Sequence, residues 1–409
     1  MMSERNIPPF FKYCDKELFL DTFLAFKKSQ GKERYTHKYH DRYTTIKAFE
    51  ENLTDEQKLI QDYLESDTYR FSPLFPFFLP KENSNAYRMI CVPSIRDRLV
   101  QRMLIGYLKK HYGENLKVLR AADFSIEGEG AKAARDKALE YRKIKKFALK
   151  TDISSFFDNL DRTELLKLLM EKVNASSLEQ LFKSLINCDP FLPGDYSPDD
   201  KAFIFKKMGK GVRQGMPLSP LLASFYLSNF DAFLKTQGIL YVRYADDLIF
   251  FLDSSSECIE VYQIIKQKLL DIQLSLPPLD QQGKSQIIAE YATVTFLGLE
   301  LRYENKQYNW YIPQRTILKV CERLTKLTNI KINIHKKMTF QQTLKRMNQI
   351  TTGYLYCFKD AESKNIAHFK KQLEFEKSKA ISKILKDLGI DIEKLPQNHR
   401  NYLIGTLKT

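Results

Sequence analysis

Along the chain, apolar and polar positions alternate between two periods. The clearest short-period segment is LYVRYADDLIFFL (240–252), two apolar strand halves around a short turn, which predicts a β-hairpin. YRMICV (87–92), closed by Pro93, reads as a buried strand, with an Arg- and Leu-rich helix following from Ser94. FALKTDI (147–153) and 293–301 also read as strands. Helical periodicity covers 45–67, with Thr54 and Gln57 spaced as a capping box, and 164–173, opened by a second box at Asp161 and Glu164. Further helices are predicted over 221–234 and 258–272, and the chain is mostly helical from Pro313. Residues 187–200 and 209–220, rich in Pro, Gly and Asp, read as loops. Strands and helices in this irregular order predict an α+β sheet rather than βαβ repetition.

Composition narrows the class. At 409 residues and 43% hydrophobic, the chain can bury two or three packed subdomains. The net charge of +15 favours a polyanionic partner. No membrane span is expected: the most apolar early stretch, 71–80, is far shorter than the roughly 20 residues a span needs and holds three prolines. Residues 1–19 have no continuous apolar run, so no signal peptide is expected. The six cysteines (14, 91, 188, 258, 321 and 357) include no CxxC pair, which suits a reducing cytoplasm and argues against a zinc finger. His37 and His40 have ligand spacing on a helix, but no second pair lies near them in sequence.

The chemistry concentrates in three carboxylates. Asp246 and Asp247 sit at the tip of the hairpin between strongly apolar flanks, where two adjacent charges call for a cation. Asp152 ends another short apolar strand. Three carboxylates at neighbouring strand ends could hold two Mg²⁺ ions about 4 Å apart, the arrangement that drives in-line phosphoryl displacement. Asp199-Asp200 is an internal control: an equal pair, but in a turn-rich loop where solvated acids are ordinary.

These residues carry a resemblance. Tyr244-Ala245-Asp246-Asp247 resembles the YxDD turn of reverse transcriptases, and LKTDISSFFDNL (149–160) resembles their preceding metal motif. RQGMPLSPLLASFYLSNFD (213–231) is similar to the QGxxxSPxLxN segment of the group II intron and retron lineages. FLGLEL (296–301) is similar to the primer-grip strand, and 79–101 to the fingers segment, all in the expected order. The resemblance implies a right-hand polymerase fold: fingers and palm around a central antiparallel sheet, then a helical thumb. It implies an enzyme that copies an RNA template into a DNA product from dNTPs, using two Mg²⁺ ions with Mn²⁺ as a possible substitute. Asp152 and Asp246 would hold both metals, Asp247 would support them and the Ile153 carbonyl would contribute. Phe157 matches the steric gate against a ribose 2′-hydroxyl, the alternative being a core aromatic. Lys81 and Arg88 match residues that hold the triphosphate, although Lys81 also reads as a solvated loop lysine. Gln214 and Gly215 match the template-side loop, where glycine admits the nascent base pair. Lys284 stands where a general acid for pyrophosphate is expected, with a surface lysine as the alternative.

Beyond the palm, Arg315, Lys319, Arg323 and Lys326 fall on one helical stripe opposite Ile317, Val320, Leu324 and Leu327. Residues 314–360 hold ten Lys/Arg against two Asp/Glu, which favours a phosphate-tracking thumb. LKRMNQITTGYLYCF (344–358) also resembles the group II intron thumb. KERYTHKYHDRY (32–43) interleaves basic and aromatic residues in the manner of an RNA-contacting surface, the alternative being a solvated helix.

The expected organisation is an N-terminal extension with fingers (1–145), palm (146–300), and basic thumb and tail (301–409). Departures from the lineage are also visible: no Gly-Ile-Asp-Gly element, no SYGFRPGRS-like loop in 123–138, and no Asn-Ala-x-x-His element. Room for a ribonuclease H domain and a Cys/His cluster for an HNH nuclease are both lacking. That architecture resembles free-standing bacterial reverse transcriptases, several groups of which act in antiphage defence on a dedicated non-coding RNA. The alternatives are a compact intron-encoded maturase, or untemplated or protein-primed DNA synthesis. The expected location is cytoplasmic, and an oligomer is compatible with the sequence.

Overall fold

The computed structural model describes residues 7–30, 45–80, 87–126, 130–173, 175–192, 194–280, 283–390, 394–397 and 399. The chain divides into two compact units, each assembled from separate stretches: Met1–Ala134 with Leu149–Ile287, and Arg135–Ala148 with Ile288–Thr409. Lys81, His37, His40 and the basic-aromatic stretch 32–43 lie outside the described residues.

The first unit begins with helices Phe10–Tyr13, Lys16–Gln30, Ile46–Glu51 and Leu53–Glu65. The helical reading of 45–67 holds, but the cap differs. Thr45 accepts the Ala48 N–H at 3.0 Å, while Thr54 lies inside the helix Leu53–Glu65. The antiparallel pair β1 (Phe75–Pro80) and β2 (Tyr87–Val92) follows, with Leu79 opposite Arg88. β2 buries Met89 and Cys91, leaves Ile90 and Val92 half-buried, and exposes its first two residues, Tyr87 and Arg88. Pro93 ends it because proline cannot donate to a ladder, and Ser94 caps the helix Ile95–His111 by accepting the Asp97 N–H. Glu56, 1% exposed, anchors that helix through two hydrogen bonds from Arg96 (2.7 and 2.8 Å).

The central sheet runs β4-β5-β3-β6, formed by β3 (Phe147–Asp152), β4 (Leu240–Tyr244), β5 (Asp247–Leu252) and β6 (Gln286–Ile288). Leu248, Ile249, Phe250 and Phe251 are all fully buried, which fixes β5 as an interior strand. Two predicted boundaries change. The helix expected over 221–234 is two helices, Ser219–Tyr226 and Ser228–Thr236, broken at Leu227. Asp199 and Asp200 lie in the first turn of a helix, Pro198–Phe205, capped by Ser197, where acids oppose the positive helix end.

The second unit holds the antiparallel sheet β7 (Val294–Phe296), β8 (Leu299–Glu304) and β9 (Gln307–Tyr311). The single strand expected over 293–301 is therefore a hairpin, turned at Leu297 (φ 45°) and Gly298 (φ 84°). Buried Arg135 holds that turn by donating to the Leu297 carbonyl at 2.9 Å and to both oxygens of buried Asp360 at 2.7 and 2.9 Å. Helices Gln314–Lys326, Ile330–His335, Phe340–Cys357 and Ser363–Asp387 complete the unit. Ile317, Val320 and Leu324 face its core. No helix among the described residues is long and apolar enough to cross a membrane.

Candidate active site

Tyr244 pairs with Asp247 across the β4–β5 hairpin, so the turn between them is Ala245 and Asp246 alone. Ala245 takes φ 55°, a left-handed conformation that costs a residue with a Cβ about 1–2 kcal/mol. Buried charge holds it there. Arg243 has a side chain that is 0% exposed and pairs with Asp231 through Nε at 2.9 Å and again through Nη2. Its Nη1 donates to Asp123 at 2.6 Å, and the other Asp123 oxygen accepts the Ala245 N–H at 3.1 Å. Burial would raise the Asp123 carboxyl, but the Arg243 guanidinium and the donated hydrogen bonds more than offset it and hold it below its ordinary range. Asp123 thus links a buried cation to the strained turn. Sequence reading missed all three residues. The available signal was Arg243, a charge inside a buried strand, which requires a buried carboxylate.

The end of β3 is stapled to the same turn. The Ile153 N–H donates to the Asp246 carbonyl at 3.0 Å, which brings Asp152 to the tip of the hairpin. Thr151 and Ser285 hydroxyls share a 2.7 Å hydrogen bond beneath it. Lys284 Nζ pairs with Asp152 Oδ2, while Asp152 Oδ1 is buried with no hydrogen-bond partner. Burial, then Asp246 and Asp152, push the Asp247 carboxyl up to about 6 against partial relief from Lys150 and Lys284. Asp246 is raised as well, by burial and by Asp152, with Arg88 and Lys284 opposing. Such a cluster is short of positive charge, and a buried carboxylate oxygen without a hydrogen-bond partner suits a divalent cation. Among the described residues, no three His, Cys, Asp or Glu side chains form a ready-made metal cage.

The remaining expected residues separate into two groups. Arg88, exposed on β2, lies within electrostatic reach of Asp246. In the helix Phe156–Asn159, Phe156 is buried and Phe157 is half-buried. The Gln214 carbonyl accepts the Cys91 N–H at 2.7 Å, and Gly215 takes φ 110°. A Cβ on Gly215 would sit 2.5 Å from the Cys91 carbonyl oxygen. Glycine is therefore demanded here by the close approach to β2, a different reason from room for a base pair. In the second unit, Arg315, Arg323 and Lys326 are exposed, Lys319 is half-buried, and Arg323 lies over the Tyr354 ring at 5.7 Å.

Residues 79–301, more than half of the chain, match the family model for reverse transcriptase (RNA-dependent DNA polymerase). The chain belongs to the reverse transcriptase family. Its fold is the right-hand polymerase fold of that family, and all three carboxylates lie inside the matched segment, as do Arg88, Phe157, Gln214, Gly215 and Lys284. Among curated relatives, this reverse transcriptase chain is 26% identical over 241 residues to the group II intron-encoded protein LtrA of Lactococcus lactis subsp. cremoris, covering 58% of this chain and 36% of that protein. It is 29% identical over 198 residues to the retron Ec83 reverse transcriptase of Escherichia coli, covering 45% and 54%. The chain thus spans about a third to a half of the length of these relatives. Apo telomerase from Candida tropicalis is similar at 13% identity and a TM-score of 0.44, covering 90% of this chain and 74% of that one.

Proposed function

We propose that this reverse transcriptase chain is an active RNA-directed DNA polymerase that extends a primer on an RNA template with dNTPs. The observation that carries the reading is the cluster at the strand ends: Asp152, Asp246 and Asp247 drawn together, two of them raised, with one Asp152 oxygen buried and without a hydrogen-bond partner. Mg²⁺, two ions in the fullest form of this reading and replaceable by Mn²⁺, would be held by these carboxylates and the Ile153 carbonyl, and would supply the charge that activates a primer hydroxyl and stabilises pyrophosphate. Arg88 orients the triphosphate from the exposed start of β2, with Lys81 as its companion. Lys284 Nζ, already beside Asp152, is the ammonium placed to give a proton to the leaving pyrophosphate. Phe157 stands where a ribose 2′-hydroxyl would clash, and the basic face of Gln314–Lys326 follows the phosphates of the template–primer duplex.

The test is extension of a DNA primer on an RNA template with dNTPs and Mg²⁺. Asp152→Ala and Asp246→Ala should each lower incorporation about a thousandfold, the several kcal/mol that metal charge stabilisation contributes, while leaving RNA affinity unchanged. Incorporation that survives both substitutions would sink the reading.

The finer form of the proposal is synthesis of cDNA on a dedicated non-coding RNA in bacterial antiphage defence, supported by likeness to a retron enzyme. Sequencing the RNA that co-purifies with the chain tests it, since one dominant species is expected. A second reading, RNA binding and splicing as the main task, is favoured by the likeness to LtrA, a group II intron-encoded protein. It predicts that Asp246→Ala leaves RNA folding and splicing intact.

A further inference from the structure

The four-residue helix Phe156–Asn159 is too short to hold its own carbonyls, and the Phe157 carbonyl is held by a neighbouring segment. Helix entry is set by Ser155, left-handed at φ 48°, and by Phe156, which is 2% exposed and planted in the core. The Phe157 carbonyl then accepts the Val212 N–H at 2.8 Å. Gly211 approaches so closely that an added Cβ would lie 2.2 Å from the Phe157 carbonyl oxygen and 2.6 Å from the Asp158 carbonyl. Gly211 also sits at φ 58°, so no other residue fits without displacing the Phe157 backbone.

Charge fixes the same junction from its side. Asp158 pairs with Lys207 through one oxygen and lies 3.8 Å from Arg213 Nη1 through the other. Arg213 is 1% exposed and reaches Asp189 at 3.5 Å, and Asp189 is held by Arg162 at 2.5 Å and by the Gly209 N–H at 2.8 Å. Arg162 Nε donates to the Gly211 carbonyl at 2.9 Å, closing the ring. Three and four residues beyond Gly211, Gln214 and Gly215 press against Cys91 of β2, the strand that carries Arg88. Residues 207–215 are thus a strut from the backbone of Phe157 to the strand opposite.

We propose that this strut, through Gly211 and the Asp158–Lys207 and Asp158–Arg213 pairs, determines sugar selectivity by fixing the height of Phe157 over the incoming nucleotide. The inference rests on the reading of Phe157 as the gate against ribonucleotides. A ring excludes a hydroxyl only if its backbone cannot retreat, because a close-packed contact that can yield no longer discriminates. Asp158 and Lys207 are positioning residues: they touch the gate's own backbone neighbour, not the substrate.

The experiment compares kcat/KM for a dNTP and its rNTP in single-nucleotide extension on an RNA template, with melting curves for each variant. Phe157→Ala should relax the deoxy-to-ribo ratio roughly a hundredfold. Asp158→Asn and Lys207→Met should relax it roughly tenfold, with kcat for the dNTP within about threefold of the parent. In the Phe157→Ala background, Asp158→Asn should relax it no further, because the strut then holds nothing. An unchanged ratio in Phe157→Ala removes the gate reading, and this inference with it. A relaxed ratio in Phe157→Ala beside an unchanged ratio in Asp158→Asn and Lys207→Met overturns the strut alone. Equal losses for both sugars in those two variants also overturn it. If Asp158→Asn fails to fold, Lys207→Met reads the same junction from a part-exposed side chain.

Discussion

At the scale of single residues, the site stores unfavourable charge that a cation can release. The Asp247 carboxyl stands at about 6 in the folded chain against an ordinary 3.8, because burial and two neighbouring acids oppose its ionisation. The folded state therefore binds this proton more tightly than the unfolded state. Above pH 6 the ionised group costs stability, and that cost disappears as pH falls from 6 towards 4. A shift of about two units corresponds to about 3 kcal/mol, and screening at a partly exposed tip reduces it to about 1 kcal/mol. Metal-free Asp247→Asn should then melt about 1–2 °C above the parent at pH 7.5, and the gap should roughly halve by pH 5 and close towards pH 4. A gap independent of pH would assign the stabilisation to something other than this charge. Adding Mg²⁺ at pH 7.5 should narrow the gap as well, since only the carboxylate gains a partner.

Elements were legible where a local signal survives and obscure where the deciding contact is remote. The β4–β5 hairpin and Asp152 at the end of β3 could be read because apolar runs flank each acid. The helix Pro198–Phe205 carried its full start signal, a serine cap, proline at the first position and two acids, hidden among other turn residues. The hairpin at Leu297-Gly298 was masked because FLGLEL reads as one apolar run, with Gly298 the only sign of a turn. The break at Leu227 has no glycine or proline to announce it. Asp123, Asp231 and Gly211 matter through partners brought to them only by folding, so no spacing betrays them. The Leu297-Gly298 turn allows a direct test of such a remote contact. Arg135 and Asp360 are each 5% exposed, and removing one partner leaves the other charge buried and unmatched. Arg135→Met should destabilise the fold by about 3–5 kcal/mol, whereas Arg135→Met with Asp360→Leu should recover most of the deficit. Chemical denaturation of both variants measures the difference. If the double variant is no more stable than the single, the Leu297 carbonyl rather than the ion pair is what Arg135 serves.

At the scale of the molecule, a net charge of +15 sets how the chain meets nucleic acid before any base is read. Neutralising phosphates releases condensed counterions, so log affinity should fall linearly with log salt, at a slope proportional to the number of phosphates engaged. The helix Gln314–Lys326 gives this charge a local source. Its core face is Ile317, Val320 and Leu324, so Arg315 and Lys326 stand outward and can be changed without touching packing. Arg323 differs from its neighbours because it also lies over the Tyr354 ring, and replacing it removes a stacking interaction along with a charge. Arg315→Ala with Lys326→Ala should reduce the slope by about 1.5–2 on an RNA–DNA duplex, near one unit for each phosphate no longer neutralised, and leave the melting midpoint unchanged. Adding Lys319→Ala should extend the reduction by less than a full unit, because that side chain is half-buried. Titrations of fluorescent duplex at several salt concentrations supply the slopes. A slope unaffected by the double variant would move the phosphate-binding role off this helix and on to another part of the basic surface, and the thumb assignment of Gln314–Lys326 would fall.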